Sequence, residues 1–593
     1  MRRSKTAIKR LFGILMSMIM ILGMMTTTAF AADGDATITI NKGTIKTDWK
    51  GMTVNAYMVL DQVNPNEEDS AKKQYAVTDE FKDFFNIDEV KEAFDGTQPV
   101  YLNYNNSTDG NCLVAGSTDT TESGGFQITN NAALDEKYPE ADLISRMSDK
   151  GEEIGTFYTW IEKYIESKGT NLKATKIVSV ETEDSTQLVI NGLNEGYYAL
   201  TFSGVPNGIL VKQGILVATP GAMTLKAEEI PVTKTVSKDE EDFREEISTA
   251  LNTPLTYQIE SEVPTLTDYD NLEYFYFSDE MMRQKIEDRS FKLTIGETQA
   301  STTDNRTFYI NGEKIAVLVL NAYGDTVVED PDNPSQKVPG QTFTFTFETS
   351  VLEKYQGEEI ILKYKAKPTS DAVKILYNDV DLIYKNGSDE HKIPDQTKVY
   401  TYGIEVQKTF SDASTNYNGV NFKLYQDNEG TKGTQIALVG ANGSYCVPVI
   451  DTETGLPESG SMDALVLDSN GKLTITGLDE GTYWLVETAA PTGFTVADPI
   501  QIVLAKDSKS PSVLDGVNST AKYNGEGNSL ITGIGSQTNT QISLAQLTVL
   551  NQKGFSLPST GGAGTWMLTI GGILLIAAAG GLYVIYRKKF AAK

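Results

Sequence analysis

Two cysteines and one histidine are all that 593 residues offer as thiol or imidazole groups. Cys112 and Cys446 stand far apart, so no disulfide framework can be drawn and two lone buried thiols are expected. Without a Cys or His cluster there is no zinc signature, and no metal and no cofactor are expected. His391, beside Lys392 and Pro394 in a polar stretch, reads as a lone surface histidine in a loop. No Ser-His-Asp set can be built around it and no phosphate-binding loop is visible, so the chain is not expected to be an enzyme. A carboxylate pair for glycoside hydrolysis is the one enzymatic alternative that so many acidic side chains leave open. Positive charge is scarce as well: 51 Lys and Arg face 80 Asp and Glu. Such a surface repels nucleic acid and anionic headgroups, so no nucleic-acid partner is expected.

Long apolar runs occur only at the two ends. Arg2, Arg3, Lys5, Lys9 and Arg10 precede an apolar stretch from Leu11 to Met25, followed by Ala29-Phe30-Ala31. This is the layout of a secretory signal peptide over 1–31, with cleavage expected after Ala31. At the other end, Leu557-Pro558-Ser559-Thr560-Gly561 precedes an apolar run from Trp566 to Tyr586 and the cations Arg587-Lys588-Lys589. Some 20 apolar residues suffice to span a bilayer, and the cations stay cytoplasmic. The segment 554–593 resembles the LPXTG cell-wall sorting signal of Gram-positive surface proteins. That resemblance implies sortase cleavage between Thr560 and Gly561 and transfer to peptidoglycan. Losing five cations with the signal and four with the tail leaves 42 basic against 80 acidic side chains. So acidic a product suits a solvated extracellular rod.

Between the ends, period-two alternation recurs with Gly, Asn, Asp and Pro punctuation, as in Ile404-Glu405-Val406-Gln407-Lys408 and Lys472-Leu473-Thr474-Ile475-Thr476. The fold class is mainly β, a series of β-sandwiches. Helix is a minority element, expected around Thr156–Lys168, where Phe157, Trp160, Ile161 and Ile165 share a face. A repeat is visible: Gly192-Leu193-Asn194-Glu195-Gly196-Tyr197-Tyr198-Ala199-Leu200 parallels Gly477-Leu478-Asp479-Glu480-Gly481-Thr482-Tyr483-Trp484-Leu485. Pro206-Asn207-Gly208 then parallels Pro491-Thr492-Gly493 without a gap. Charged, Pro-containing stretches place boundaries near 230 and 400, giving domains at 32–229, 230–399 and 400–553.

The stretch Tyr483-Trp484-Leu485-Val486-Glu487-Thr488-Ala489-Ala490-Pro491-Thr492-Gly493-Phe494 resembles the E-box of sortase-assembled pilins, differing in type only at the final aromatic. The resemblance covers essentially the whole mature chain. It implies tandem immunoglobulin-like sandwiches of the collagen-adhesin B type, held by internal isopeptide bonds. Strand geometry can be set against that expectation, because alternate side chains point to opposite faces. Tyr483, Leu485 and Glu487 share a face; so do Ile404, Val406, Lys408 and Phe410; so do Leu547, Val549 and Asn551. An amine, a carboxyl and an amide are all aimed inward, each costly to bury alone. Burial disfavours charge, so a neutral Lys408 can attack the Asn551 amide while a protonated Glu487 polarises it and shuttles protons. Ammonia leaves and a Lys408–Asn551 bond remains. The bland alternative is a buried Lys408–Glu487 ion pair.

The middle domain repeats the logic with weaker motifs and resembles the pilin middle domain, in which an aspartate stands for the glutamate. Lys234 is assigned as nucleophile, Asn378 as acceptor and Asp279 as acid, with Glu280 and Asn386 as fallbacks. Each bond is expected to join the first and last strands of its domain. In the first domain Lys42 is expected to point inward with Ile38 and Ile40, but Phe202 stands where Glu487 does and Ala227 near the place of Asn551. No E-box bond is expected there.

Polymerisation by a pilus-class sortase needs an exposed amine. The Tyr-Pro-Lys motif that commonly supplies it in the family is absent, and Lys226, alternating away from Met223 and Leu225, is the positional substitute. The resemblance therefore implies a structural pilin, as the shaft subunit. It would be joined to like and minor pilins and passed to peptidoglycan by a housekeeping sortase, with a host ligand the sequence does not name. The alternative is a monomeric wall-anchored adhesin, or a minor pilin, built from the same domains.

Overall fold

The computed structural model describes residues 34–62, 75–84, 87, 111–115, 126–130, 151–265, 272–331, 333–369, 375–386, 389–414, 416–449, 464–536, 542–554 and 563–590. The signal segment 1–31, with Ala31, and the motif Leu557–Gly561 lie outside them.

Strands dominate. Glu359–Pro368 shows why: Ile360, Leu362, Tyr364 and Ala366 are fully buried, while the residues between them are lysines, glutamate and isoleucine on the outer face. Each large apolar side chain so placed contributes roughly 1.5–3 kcal/mol of burial. The sheets fall into three groups along the chain. In the first, Ala36–Asn41 sits between Gly221–Thr224 and Gln187–Leu193, and a larger sheet is centred on Gly196–Ser203 and Thr53–Gln62. The second group pairs a six-stranded sheet beginning with Val232–Ser237 against an eight-stranded sheet containing Leu272–Met282, Leu376–Asn386 and Asp389–Tyr400. The third has two six-stranded sheets. One carries Tyr402–Phe410 beside Ser543–Asn551, and the other carries Gly481–Ala489.

The second and third groups share one continuous apolar core. At the junction the Leu251 amide donates to the Gly477 carbonyl at 3.2 Å. Gly477 has φ +77°, and a Cβ there would lie 2.8 Å from Leu251 Cδ1, so the close approach and the backbone both call for glycine.

The repeat is also geometric. Gly208 and Gly493 both adopt positive φ, and the amides of Ile209 and Phe494 donate back to Pro206 and Pro491 at 3.2 and 3.1 Å. The expected helix is present as Gly151–Lys168, with Ile161 and Ile165 buried and Trp160 half-buried. A second helix, Ala563–Phe590, contains a 24-residue apolar span of hydropathy 2.2 from Trp566 to Lys589. At 1.5 Å per residue it extends about 36 Å, enough to cross a bilayer core. Among the described residues nothing buries this span.

Three expectations are corrected. His391 is neither exposed nor in a loop: it lies in the strand Asp389–Tyr400, opposite Tyr384, is 5% exposed and stacks on that ring at 4.8 Å. The polar sequence around it misled because Pro394 suggested a break. Among the described residues only Lys398–Tyr400 of this strand pairs with a further strand, so Pro394 sits at a sheet edge, where a missing N–H is tolerated. Cys446 is half-buried rather than buried, its thiol still pushed up by desolvation; the Cys112 side chain lies outside the described residues. Lys42 falls one residue past the strand Ala36–Asn41 and is half-buried, whereas Ile38 and Ile40 are fully buried.

Candidate functional site

In the third group the first and last strands are parallel neighbours, with Lys408 opposite Val549 and Phe410 opposite Asn551. Lys408 and Asn551 therefore sit two positions apart on one inward face, a diagonal that long side chains span. Glu487 comes from the opposing sheet, where it pairs with Phe422. The three side chains meet in the sandwich interior, with Lys408 and Asn551 fully buried and Glu487 4% exposed. Lys408 Nζ donates to Asn551 Oδ1 and lies 3.3 Å from Glu487 Oε2. Asn551 Nδ2 donates to Glu487 Oε1 at 2.8 Å, and the Ala497 amide donates to Oε2 at 2.7 Å. The carboxyl thus touches both the amine and the amide nitrogen. Burial pushes the Lys408 amine down to about 8, against the opposing pull of Glu487. A neutral fraction is thereby present at neutral pH.

The final E-box aromatic has its own task. Phe494 packs on Phe410 at 4.7 Å between ring centroids, closing the apolar shell beside the amine.

The second group builds a related cluster differently. Lys234 lies on one sheet, while Asp279 and Asn378 lie on adjacent strands of the other, where Met281 opposes Asn378. Lys234 and Asn378 are fully buried and Asp279 is 1% exposed. Lys234 Nζ donates to Asp279 Oδ2, and its own backbone amide donates to Asp395 at 2.5 Å. Burial pushes the Lys234 amine down and the Asp279 carboxyl up, and their mutual attraction opposes both shifts. Transfer of the proton from amine to acid removes both charges from the dry interior. The fallback acid Glu280 is exposed on the opposite face of its strand; the side chain of Asn386 is not among those described.

A fourth residue escaped the sequence reading. Tyr364 enters from the Lys234 sheet and lies 3.0 Å from Lys234 Nζ. It donates to Asp279 Oδ2 at 2.7 Å and accepts from Asn378 Nδ2 at 2.9 Å. Alternation in Ile360–Ala366 marks Tyr364 as inward-facing, but nothing local says which groups its hydroxyl meets.

The expectation that both pairs link first and last strands is corrected for this domain. Asn378 stands on the penultimate strand, followed by Asp389–Tyr400. Lys234 faces Asn378 across the sandwich, whereas Lys408 and Asn551 are neighbours within one sheet.

In the first group Phe202 is buried at the Glu487-equivalent position and Ala227 is half-buried. Among the described residues of this group no lysine is buried, and the carboxyl–lysine pairs Glu183–Lys50 and Asp83–Lys168 lie at the surface. Lys226 is half-buried, its Nζ lying 5.8 Å from the Tyr158 ring centroid. Burial, then the charge of Lys212, holds that amine below the usual lysine range. It is less open than alternation suggests, because the helix Gly151–Lys168 carries Tyr158 over it.

Residues 403–518 match the SpaA prealbumin-like fold domain, and residues 550–589 match the LPXTG cell wall anchor motif. No curated protein matches the chain at a significant level. Among solved structures, the T6 backbone pilin of serotype M6 Streptococcus pyogenes is 16% identical, with 89% of this chain and 100% of that one covered and a TM-score of 0.47. The Corynebacterium diphtheriae major pilin SpaA is 12% identical, covering 87% and 100%, with a TM-score of 0.44. The full-length major pilin SpaD from Corynebacterium diphtheriae is 15% identical, covering 89% and 99%, with a TM-score of 0.40. With a SpaA-type prealbumin-like domain running into an LPXTG anchor and its apolar helix, the chain is a cell-wall-anchored surface protein.

Proposed function

We propose that this chain is a structural pilin subunit, polymerised by a pilus-class sortase and handed to peptidoglycan by a housekeeping sortase. Its second and third domains are stiffened by self-formed Lys234–Asn378 and Lys408–Asn551 isopeptide bonds. The observation that carries the reading is the dry cluster in which one buried carboxyl, Glu487, touches both the Lys408 amine and the Asn551 amide nitrogen.

The chemistry follows from that contact. A neutral Lys408 amine attacks Asn551 Cγ, and Glu487 takes a proton from the amine and delivers one to Nδ2, which departs as ammonia. The fold holds amine and amide in contact, which replaces a bimolecular encounter by a high effective concentration. Asp279 does the corresponding work for Lys234 and Asn378. No external enzyme is needed for either bond.

Mechanically, load entering at Tyr402 runs six residues to Lys408, crosses to Asn551 and leaves. The segment 409–550 is bypassed. In the second domain load crosses from Lys234 to Asn378, between the sheets, and bypasses 235–377. The unlinked first domain is left as the part that yields first.

A second reading, a monomeric wall-anchored adhesin, is favoured by one observation: the Lys226 amine is packed over Tyr158 rather than freely exposed. Immunoblots of denatured wall digests separate the two, since a pilin gives a high-mass ladder and an adhesin a single band. The crosslinks are tested by intact mass of the soluble segment 32–553. Two ammonia losses, about 17 Da each, are expected, and an unshifted mass would falsify the internal bonds.

A further inference from the structure

We infer that Tyr364 is a catalytic residue of the second-domain crosslink, carrying a proton between Asp279 and the departing nitrogen of Asn378. The inference rests on the crosslinking reading above and deepens it.

It starts from a difference of one methylene. In the third domain Glu487 uses one oxygen on the amine side and the other, 2.8 Å away, on the Asn551 amide nitrogen. Asp279 is shorter, and both of its hydrogen bonds, to Lys234 and Tyr364, fall on Oδ2. Among the described residues its Oδ1 has no hydrogen-bond partner, and the carboxyl makes no hydrogen bond to Asn378. The acid meets the amine but not the leaving group. The phenol fills the gap, 2.7 Å from the carboxyl and 2.9 Å from Asn378 Nδ2. A fully buried hydroxyl 3.0 Å from the amine as well touches every reacting group of the cluster.

The step balances without any further reactant. The neutral Lys234 amine forms a bond to Asn378 Cγ while Asp279 holds the proton it took from the ammonium. Asp279 passes that proton to the Tyr364 oxygen as the phenol gives its own to Nδ2, and the carboxylate so freed accepts the proton that the new C–N bond makes acidic. The Cγ–Nδ2 bond breaks, ammonia leaves, and Asp279 and Tyr364 end as they began. Burial keeps the resting phenol protonated, so it is loaded as a donor. Its ring is held by stacking on Phe291 at 5.2 Å and on Tyr257 at 5.5 Å, and by an edge contact with Phe343 at 5.1 Å. The hydroxyl therefore has little freedom to leave the cluster.

The test follows bond formation in freshly synthesised 32–553 by mass after a denaturing quench. The parent must first show both ammonia losses; if the second-domain loss is missing there, the crosslinking reading fails and the relay with it. Tyr364→Phe keeps the ring and its packing, and should slow the second-domain loss roughly 100-fold, the scale of general acid–base catalysis, while the third-domain loss proceeds unchanged. In Tyr364→Phe/Asp279→Glu the longer acid reaches the amide directly, as Glu487 does, and the loss should return. A Tyr364→Phe chain that folds and crosslinks at the parent rate overturns the relay and leaves the crosslinking reading intact. If that variant does not melt cooperatively, 3,5-difluorotyrosine incorporation decides instead. The more acidic phenol should change the second-domain rate alone, and equal second-domain rates with and without fluorine overturn the proposal.

Discussion

Replacing Glu487 by Gln changes the third domain by little more than one proton site. Gln keeps the length of the side chain and an oxygen for the Ala497 amide, which now approaches at 2.7 Å. What it cannot do is take a proton from Lys408 and pass one to Asn551. The domain should therefore fold and remain unlinked, one ammonia heavier than its linked form. The thermodynamic cost can be worked out from the loop the bond would close. Lys408 and Asn551 are 143 residues apart, and chain-entropy scaling then assigns about 5 kcal/mol to the link through the unfolded state. For a domain of roughly 150 residues, each kcal/mol moves the midpoint by about 2–4 °C. The third-domain transition should accordingly fall by roughly 10–20 °C in calorimetry of the 32–553 segment, without change in the linked second domain's mass signature. A Glu487→Gln protein that still loses two ammonias refutes the catalytic role of Glu487. One that loses a single ammonia yet melts within about 2 °C of the parent refutes the loop-closure argument.

Asp279→Ala should abolish the other ammonia loss, seen as a single rather than double deficit in intact mass, with the third-domain bond retained. In Asn551→Ala, Lys408 stays a free amine whose folded value, about 8, lies below the usual 10.5. Between those values the unfolded chain holds a proton the folded chain lacks, so stability rises with pH across that window, by about 3 kcal/mol. Denaturant titrations at pH 8 and pH 10.5 check the sign, and Lys408→Met/Asn551→Ala should lack that part of the rise. Lys226→Arg removes the proposed linking amine without removing its charge, so a pilin should collapse from ladder to monomer on immunoblots. Persistence of the ladder assigns linkage to another lysine.

The legible part of the candidate site was the inward register of single strands. Lys408, Glu487 and Asn551 each followed apolar residues at a spacing of two, and each is buried. Lys234, Asp279 and Asn378 obeyed the same rule in a domain with no comparable motif. Lys42, one residue past the end of its strand, is only half-buried. His391 broke the rule in the other direction: a proline-containing polar stretch looked like a loop, yet its hairpin partner Leu376–Asn386 supplies eleven paired positions and a ring for the histidine to stack on.

Local chemistry was enough to determine that the six reacting side chains are sent inward, that the chain is built of strands, and that an apolar helix follows a sorting motif. A pleated strand has only two faces, and charge or its absence declares which is wet. Which buried groups meet was decided by the stacking of sheets. The same Lys and Asn pair is side by side in one sheet in the third domain and face to face across the sandwich in the second. The Tyr364 hydroxyl gained its partners only when two sheets closed over it, because those contacts join strands more than eighty residues apart as well as near neighbours in the chain. Contacts of that kind are set by register and layer packing, which no single strand encodes.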